Sequence, residues 1–403
     1  MRVLVVNVGS SSLKLSLLEP PAAPGQLDRV IAADELEAPR AHVDERKLRA
    51  ALRSSFGDAD AIGHRIVHGG ERYRTAVRID RGVRAALEQL VALAPLHQPK
   101  SLAALDAVSK LLPDLPAVAC FDTAFHATLT PAASTYALPA SWRERWGLRR
   151  YGFHGLSHAW VARRTTQLLA RPARIVSCHL GAGASLCAIG DGRSLDTTMG
   201  FTPLEGLVMA TRSGSVDPGM LLWLGEPGRL DSAEIADALE HRSGLLGLAG
   251  SADMREICQR ARDGEASAQL ALDVYVHRLR AGVAAMSAAL GGLDALAFTG
   301  GVGEGSADVR ARTAEGLGFL GVAIDGPRND AASASASASA SASASASASA
   351  SASDADDHDG GGDAELSAPD ALVRTFALHA REDLEIARQT RSVLAPTVAA
   401  EAP

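Results

Sequence analysis

Lysine is scarce in this chain. Of forty basic residues only four are Lys (Lys14, Lys47, Lys100 and Lys110), and the excess of Asp and Glu gives a net charge of −7. That balance argues against nucleic acid as the main partner, because affinity for phosphate backbones rests on clustered positive charge. Cysteine is equally sparse. Cys120, Cys178, Cys187 and Cys258 form no CxxC pair and have apolar neighbours, which predicts reduced core thiols and excludes a disulfide framework. No stretch approaches the ~18 uninterrupted apolar residues of a membrane helix. Residues 1–10 hold only the short apolar run Val3–Val6. This falls short of a signal peptide's apolar region, so a cytoplasmic protein is expected. The 403 residues, 47% of them apolar, predict a globular chain of about two or three domains.

Several catalytic signatures are missing too. There is no P-loop, because no Gly-Lys-Ser/Thr closes a glycine turn. No GxGxxG stands in register for a dinucleotide site, HExxH is absent, and no GxSxG elbow supports a serine hydrolase. What the chain does have is a repeated pattern of strand, Gly/Ser turn and strand. Val3–Val6 leads into Asn7-Val8-Gly9-Ser10-Ser11-Ser12, and Leu13, Leu15 and Leu17 then alternate with Lys14 and Ser16, the period of a half-buried strand. The same shape recurs where Ile175–Leu180 meets Gly181-Ala182-Gly183-Ala184-Ser185 and then Leu186–Ile189. Asn7 and His179 hold equivalent places in the two. The recurrence predicts duplicated halves, two lobes facing a cleft.

Helical spacing runs through Arg84–Leu93, Ser101–Leu112 and Ala266–Leu290, the last stopping at Gly291-Gly292. Strands are expected at Ala117–Phe121 and at Ala295–Thr299, which runs into Gly300–Gly305. Strands alternating with helices make an α/β fold. Residues 332–353 alternate Ala and Ser and continue into an acidic, Gly-rich run to Asp363. Such a stretch buries too little apolar surface to offset the entropy of ordering, so 332–363 is expected to be a disordered insert.

Three glycine turns after apolar strands, at 7–14, 181–185 and 300–306, expose backbone N–H groups suited to phosphate oxygens. Around them lie segments dense in His and Arg: Gly63–Gly70 with Arg65, Ala94–His97, Phe121–His126 with Asp122, Tyr151–His158 with His154, and Met209–Ser215 with Arg212. Taken singly, each His reads as a hydrogen-bonded structural residue. Together they describe two guanidinium groups, several imidazoles and one carboxylate, a set that suits a phosphoryl group in flight.

With these motifs in this order from Met1 to about Arg388, the chain resembles the acetokinase family. The resemblance implies two lobes of duplicated ribonuclease H-like, actin/hexokinase-type α/β topology around an interlobe cleft. Residues 1–125 with 382–403 would form one lobe and 126–381 the other. It implies reversible Mg²⁺-dependent transfer between ATP and acetate, giving ADP and acetyl phosphate, with Mn²⁺ as an alternative ion. The partners would be these small molecules and a second copy of the chain, with neither nucleic acid nor membrane. Carried over by motif, Arg65 and Arg212 would clamp the phosphoryl group and the carboxylate. His154 would donate to an equatorial oxygen, and Asp122 would orient an arginine. His97 would lie near the phosphates. Val67, Leu96, Phe153 and Pro203 would line a methyl pocket. Ser10, Ser12 and Lys14 would surround the phosphates, and Asn7 and Glu382 would position the metal. The nucleotide would meet His179, Leu180, Gly181, Ala182 and Gly183, then Asp253, Met254 and Arg255, then Gly301, Val302, Gly303, Glu304 and Gly305.

Three positions depart from the family pattern. Ala182 and Gly305 stand where Asn is usual, and Arg381 precedes Glu382 where Asn is common. Two other readings remain open on these residues: a propionate or other short-chain acyl kinase, and a non-catalytic nucleotide-binding regulator of the same fold.

Overall fold

The computed structural model describes residues 1–9, 12–23, 25–37, 44–94, 98–346 and 362–395, with side chains from 339 to 346 left out. Ser10, Leu96, His97 and residues 347–361 therefore lie outside the described residues. The chain divides into two units. Among the described residues, one holds those up to Phe125, 345–346 and 381–395, the other those from His126 to Ala344 and from Gly362 to Ala380.

Each unit is built on a six-stranded sheet. The first contains β1 (Val3–Val8), β2 (Ser12–Glu19), β3 (Arg29–Glu37), β4 (Ala61–Ile66), β5 (Val77–Arg78) and β6 (Ala117–Phe121), in the order β3-β2-β1-β4-β6-β5. The second contains β7 (Ile175–Leu180), β8 (Ala184–Gly190), β9 (Arg193–Thr197), β10 (Ala295–Thr299), β11 (Ala364–Glu365) and β12 (Arg374–Ala377), in the order β9-β8-β7-β10-β12-β11. The pairings match strand for strand. β1 is antiparallel to β2 and parallel to β4, and β4 is parallel to β6. Likewise β7 is antiparallel to β8 and parallel to β10, and β10 is parallel to β12. The duplication expected from the two hairpins is thus present in both sheets, and Asn7 and His179 each occupy the fifth position of their strand.

Local chemistry explains the elements. In β2, Leu13, Leu15 and Leu17 are buried while Lys14 is exposed. They pack with Leu48 and Leu52 of helix Glu45–Ser55 and with Ile62 and Val108. The expected strands at 117–121 and 295–299 form as read. Helix Ala266–Leu290 ends where Gly291 adopts φ +67°, a backbone state that glycine enters at little cost. Arg84–Leu93 divides into helix Arg81–Gln89 and a tighter turn at Leu90–Leu93. Residues Gly300–Gly305, expected as an open glycine turn, wind into a short helix. Gly300 starts it at φ +80°, where a Cβ would lie 2.9 Å from the Leu180 carbonyl oxygen. All four cysteines are buried and free, and burial pushes the Cys120 and Cys187 thiols up to about 12.

Helix Glu382–Leu394 closes the first sheet against β1, β4 and β6. Gly63 in β4 permits its approach, since a Cβ there would lie 2.5 Å from Thr390 Oγ1 and 2.6 Å from Ile386 Cγ2.

The Ala-Ser stretch differs from expectation. Residues 332–346 are not a loop but the continuation of helix Gly326–Ala346. Helix formation is costly to nucleate and cheap to propagate, and Ala is the best propagating residue. The nucleus is supplied by packed neighbours. Asp325 Oδ1 accepts from Arg328 N at 3.0 Å, and the buried Arg310 reaches Asn329 Oδ1 and Ser333 Oγ, each at 2.8 Å.

Candidate active site

In the first unit, three parallel strands stand side by side in the order β1-β4-β6. Their carboxyl ends carry Asn7, Arg65 and, just past β6, Asp122. Open α/β sheets place ligand chemistry at this edge. Arg65 meets Asp122 with two nitrogens, Nε at 3.1 Å and Nη2 at 2.8 Å from Oδ2. Its Nη1 donates to Asn7 Oδ1 at 3.1 Å and lies 3.4 Å from Glu382 Oε2. Asn7 Nδ2 donates to the same Glu382 oxygen at 3.0 Å. Glu382 opens the final helix, so the close approach allowed at Gly63 helps bring its carboxylate here.

The charges do not balance, because two carboxylates share one guanidinium. Burial pushes the Asp122 carboxyl up to about 6; the Arg65 charge opposes this and the Glu382 charge adds to it. Burial also works against the Arg65 cation, but Asp122 and Glu382 overcome it and raise the guanidinium above its ordinary value. Surplus negative charge beside hard oxygen donors, Asn7 Oδ1 and the Glu382 and Asp122 carboxylates, suits Mg²⁺ bound by few protein groups and completed by water and phosphate. Among the described residues no group of three His, Cys, Asp or Glu forms an all-protein metal cage. Arg381, beside Glu382, turns its fork onto Asp383 at 2.9 and 3.1 Å.

Elsewhere in this unit, Val67 is buried directly after β4. Lys14 is exposed and lies 3.9 Å from Glu35, whose other carboxylate oxygen accepts from Ser12 Oγ at 2.5 Å. Thus Ser12 and Lys14 are tied to β3, an arrangement their own hairpin did not reveal.

The second unit gathers His154, His179, Gly183 and Arg212. His154 heads helix Gly155–Leu169 in the left-handed backbone region, at φ +56°, a strained state for a residue with a side chain. A Cβ on Gly183 would lie 3.4 Å from His154 Nε2 and 3.5 Å from Arg212 Nη1. Both side chains thus come within van der Waals reach of Gly183 at the β7–β8 turn. The His154 and His179 rings lie 4.2 Å apart. Arg212 Nη1 reaches the Pro203 carbonyl at 3.3 Å, and burial draws its guanidinium below its ordinary value. Leu245 N and Leu246 N pin the Arg212 loop through Met209 O and Ala210 O, each at 2.9 Å. Phe153 is buried, and its carbonyl meets His126 Nε2 at 2.9 Å.

The same unit contains a cavity of about 920 Å³. Gly181, Ala182, Asp253, Met254, Arg255, Gly301, Val302, Glu304 and Gly305 line it, joined by Ala336 and Ser337 of the Ala-Ser helix. Leu180 is buried, and Gly303 packs against it instead of lining the cavity. Glu304 is a brace: one carboxylate oxygen accepts from Gly300 N and Ala380 N, and the other meets His379 Nδ1 at 2.7 Å. Arg255 folds back on Asp253 at 2.7 Å, and that hydrogen bond holds the Asp253 carboxyl below its usual range.

Four positioning groups escape a reading of motifs alone. Ser157 Oγ meets His179 Nδ1 at 2.8 Å, and Ser185 Oγ meets His154 Nδ1 at 2.9 Å. Glu35 holds Ser12, and Glu205 accepts from Arg150 at 2.7 Å and from Tyr136 at 2.5 Å. Ser157 and Ser185 lie inside noted motifs, where each stands two residues after a glycine (Gly155 and Gly183), and that offset gave the only hint.

Duplicated α/β sheets, glycine turns at equivalent hairpins, and arginine and imidazole donors beside a nucleotide-sized cavity define a phosphotransferase of the duplicated-sheet class. Residues 33–353 match the Acetokinase family, and the chain belongs to that family. It is 40% identical to the acetate kinase of Gloeobacter violaceus, over 96% of this chain and 98% of that one. Two solved structures cover 98% of it. A propionate kinase from Francisella tularensis superposes with a TM-score of 0.81 at 32% identity, over all of that chain. The acetate kinase of Porphyromonas gingivalis gives 0.80 at 35% identity, over 99% of that chain.

Proposed function

We propose that this chain is an ATP:acetate phosphotransferase, forming acetyl phosphate and ADP reversibly by direct in-line transfer. The observation that carries the reading is the pair of side chains, His154 and Arg212, whose Nε2 and Nη1 both face Gly183 in the unit holding the nucleotide-sized cavity. Phosphoryl transfer asks for alignment and positive charge where the transition state spreads negative charge. Arg212 and Arg65 supply the charge, and His154 donates to an equatorial oxygen. Acetate is already ionised at neutral pH, so no strong base is needed. Asp122, held in a two-nitrogen contact by Arg65, is the anion that orients that arginine. Gly181, Ala182, Asp253–Arg255, Gly301, Val302, Glu304 and Gly305 take the nucleotide. Val67, Leu96, Phe153 and Pro203 take the methyl group, with His97, Ser10, Ser12 and Lys14 near the phosphates.

Asn7 and Glu382 would hold Mg²⁺, partly through water, and the ion would neutralise phosphate oxygens during transfer. The protein works in the cytoplasm as a homodimer. Supporting self-association, helix Pro218–Leu224 reads PGMLLWL and buries none of its residues, with Leu222 78% exposed; apolar surface of this kind marks an interface. Among the described residues no helix is long and apolar enough to cross a membrane.

The test is acyl phosphate formation from ATP and Mg²⁺, trapped as the hydroxamate, with acetate, propionate and butyrate side by side. Acetate is expected to give the highest kcat/KM. The likeness to a propionate kinase makes propionate the second reading, since one methylene changes discrimination by only about 1–3 kcal/mol. No product from folded, ATP-binding protein would favour the non-catalytic regulator.

A further inference from the structure

We propose that Ser185 and the buried His158 fix the tautomer of His154, holding it neutral with its proton on Nε2, through a chain of hydroxyl and imidazole hydrogen bonds that begins at Ser177. The inference rests on the reading of His154 as the donor to the transferring phosphoryl group.

The chain is continuous. Ser177 Oγ lies 2.8 Å from His158 Nδ1, His158 Nε2 lies 2.8 Å from Ser185 Oγ, and Ser185 Oγ lies 2.9 Å from His154 Nδ1. Ser177, His158 and Ser185 are fully buried, so water does not compete for these bonds. A serine hydroxyl carries one proton. Its oxygen could accept from both rings, but in this buried setting that would leave the proton unsatisfied, so between two imidazole nitrogens Ser185 donates to one and accepts from the other. Burial, with the nearby rings of His126 and His179, drives the His158 imidazole well below its ordinary value. His158 is therefore neutral, with one donor nitrogen and one acceptor nitrogen.

These constraints leave two directions for the whole chain. In the outward direction Ser177 donates to His158 Nδ1, His158 Nε2–H donates to Ser185, and Ser185 donates to His154 Nδ1. The proton of His154 then sits on Nε2, the nitrogen beside Gly183. In the inward direction His154 spends its Nδ1 proton on Ser185. Its Nε2 then offers a lone pair to an anionic oxygen, or the ring takes a second proton and faces the Arg212 guanidinium across Gly183. A phosphoryl oxygen accepts hydrogen bonds and donates none. Only the outward direction meets it with a neutral ring that costs no added positive charge beside Arg212. The ring is also fixed in rotation, by its backbone state and by His179 at 4.2 Å, itself held by Ser157. Ser177, His158 and Ser185 are thus positioning residues that act through His154.

The experiment uses full-length protein labelled with ¹⁵N at histidine, read by long-range proton–nitrogen correlation beside acetyl phosphate kinetics. Wild type is expected to show His154 as the Nε2–H tautomer. Ser185→Ala should give a mixture or the Nδ1–H form, and lower kcat roughly 10–100-fold with the KM for acetate and ATP within about twofold. Ser185→Thr should restore the tautomer and most of kcat. If Ser185→Ala does not fold, Ser177→Ala at the far end of the chain should shift the tautomer with a smaller loss of kcat. An unchanged Nε2–H signal in folded Ser185→Ala overturns the proposal, as does an Nδ1–H ring in wild type, which needs no variant. A wild type that makes no acyl phosphate overturns the functional reading instead, whatever the spectrum shows.

Discussion

Arg65 ties together Asn7, Asp122 and Glu382, and Arg212 stands with His154 at the Gly183 turn. Replacing either arginine with Ala is expected to lower kcat by orders of magnitude, with the circular dichroism spectrum unchanged. A loss below about tenfold in folded protein would remove the clamp from the mechanism. Ala182 makes a smaller prediction. Ala182 lines the cavity, so Ala182→Asn, which adds a side-chain donor there, should tighten ADP or ATP binding about fivefold, the worth of one hydrogen bond near 1 kcal/mol. Calorimetric titration checks it, and equal affinities would show that the side chain does not reach the nucleotide. At this scale the sequence reveals which residues carry charge and which loops carry glycine. It does not reveal pairing: Ser12 with Glu35, or Ser185 with His154, depends on strand register and on left-handed backbone at position 154. Neither leaves a spacing rule in the chain.

Helix Glu382–Leu394 reaches the first sheet over Gly63. Gly63→Ala would press a methyl carbon into Thr390 and Ile386, costing about 1–3 kcal/mol and shifting Glu382. Its melting temperature and kcat should fall together, whereas a full-activity variant would show that the helix relaxes without moving its first turn. Ala336 and Ser337 place the start of the Ala-Ser helix in the nucleotide cavity's wall. Removing residues 339–353 should leave the KM for ATP unchanged, and extending the cut back to 332 should raise it several-fold. Equal values for both deletions would make the helix irrelevant to binding. Both hairpins, two of the strands and helix Ala266–Leu290 were legible because an apolar period and a glycine stop mark their bounds. The Ala-Ser helix was not. Its composition carries no amphipathic period, and the nucleating contacts come from Arg310, which is distant in sequence.

For the molecule as a whole, buried imidazoles set the acid limit. Burial holds His64, His68 and His126 down to about 4. They add full stability above about pH 6.5, the ordinary value. This stability is lost as pH falls from there toward 4, because the unfolded chain takes up protons that the folded one refuses. Asp122 works in reverse. With its folded carboxyl at about 6, the stability it adds is present below about 4 and lost as pH rises through 6. Each imidazole is worth roughly 3 kcal/mol, and three of them outweigh one carboxyl acting the other way. Melting temperature should therefore drop steeply between pH 6.5 and 4.5; a flat profile would mean that these histidines open to water before the fold does. The duplication itself was readable from two hairpins, whereas the ownership of the last helix came only with the family resemblance and not from any pattern in the helix. That helix closes a sheet whose last strand ends at Phe121, roughly 260 residues earlier. At ribosomal rates of 5–20 residues per second, about 10–50 s separate the two. The nascent first unit must wait for its closing helix with an apolar sheet face uncovered, and Arg65 without Glu382. A chain cut before Glu382 can neither close this sheet nor assemble the charge cluster, so the architecture itself checks that synthesis has passed this helix.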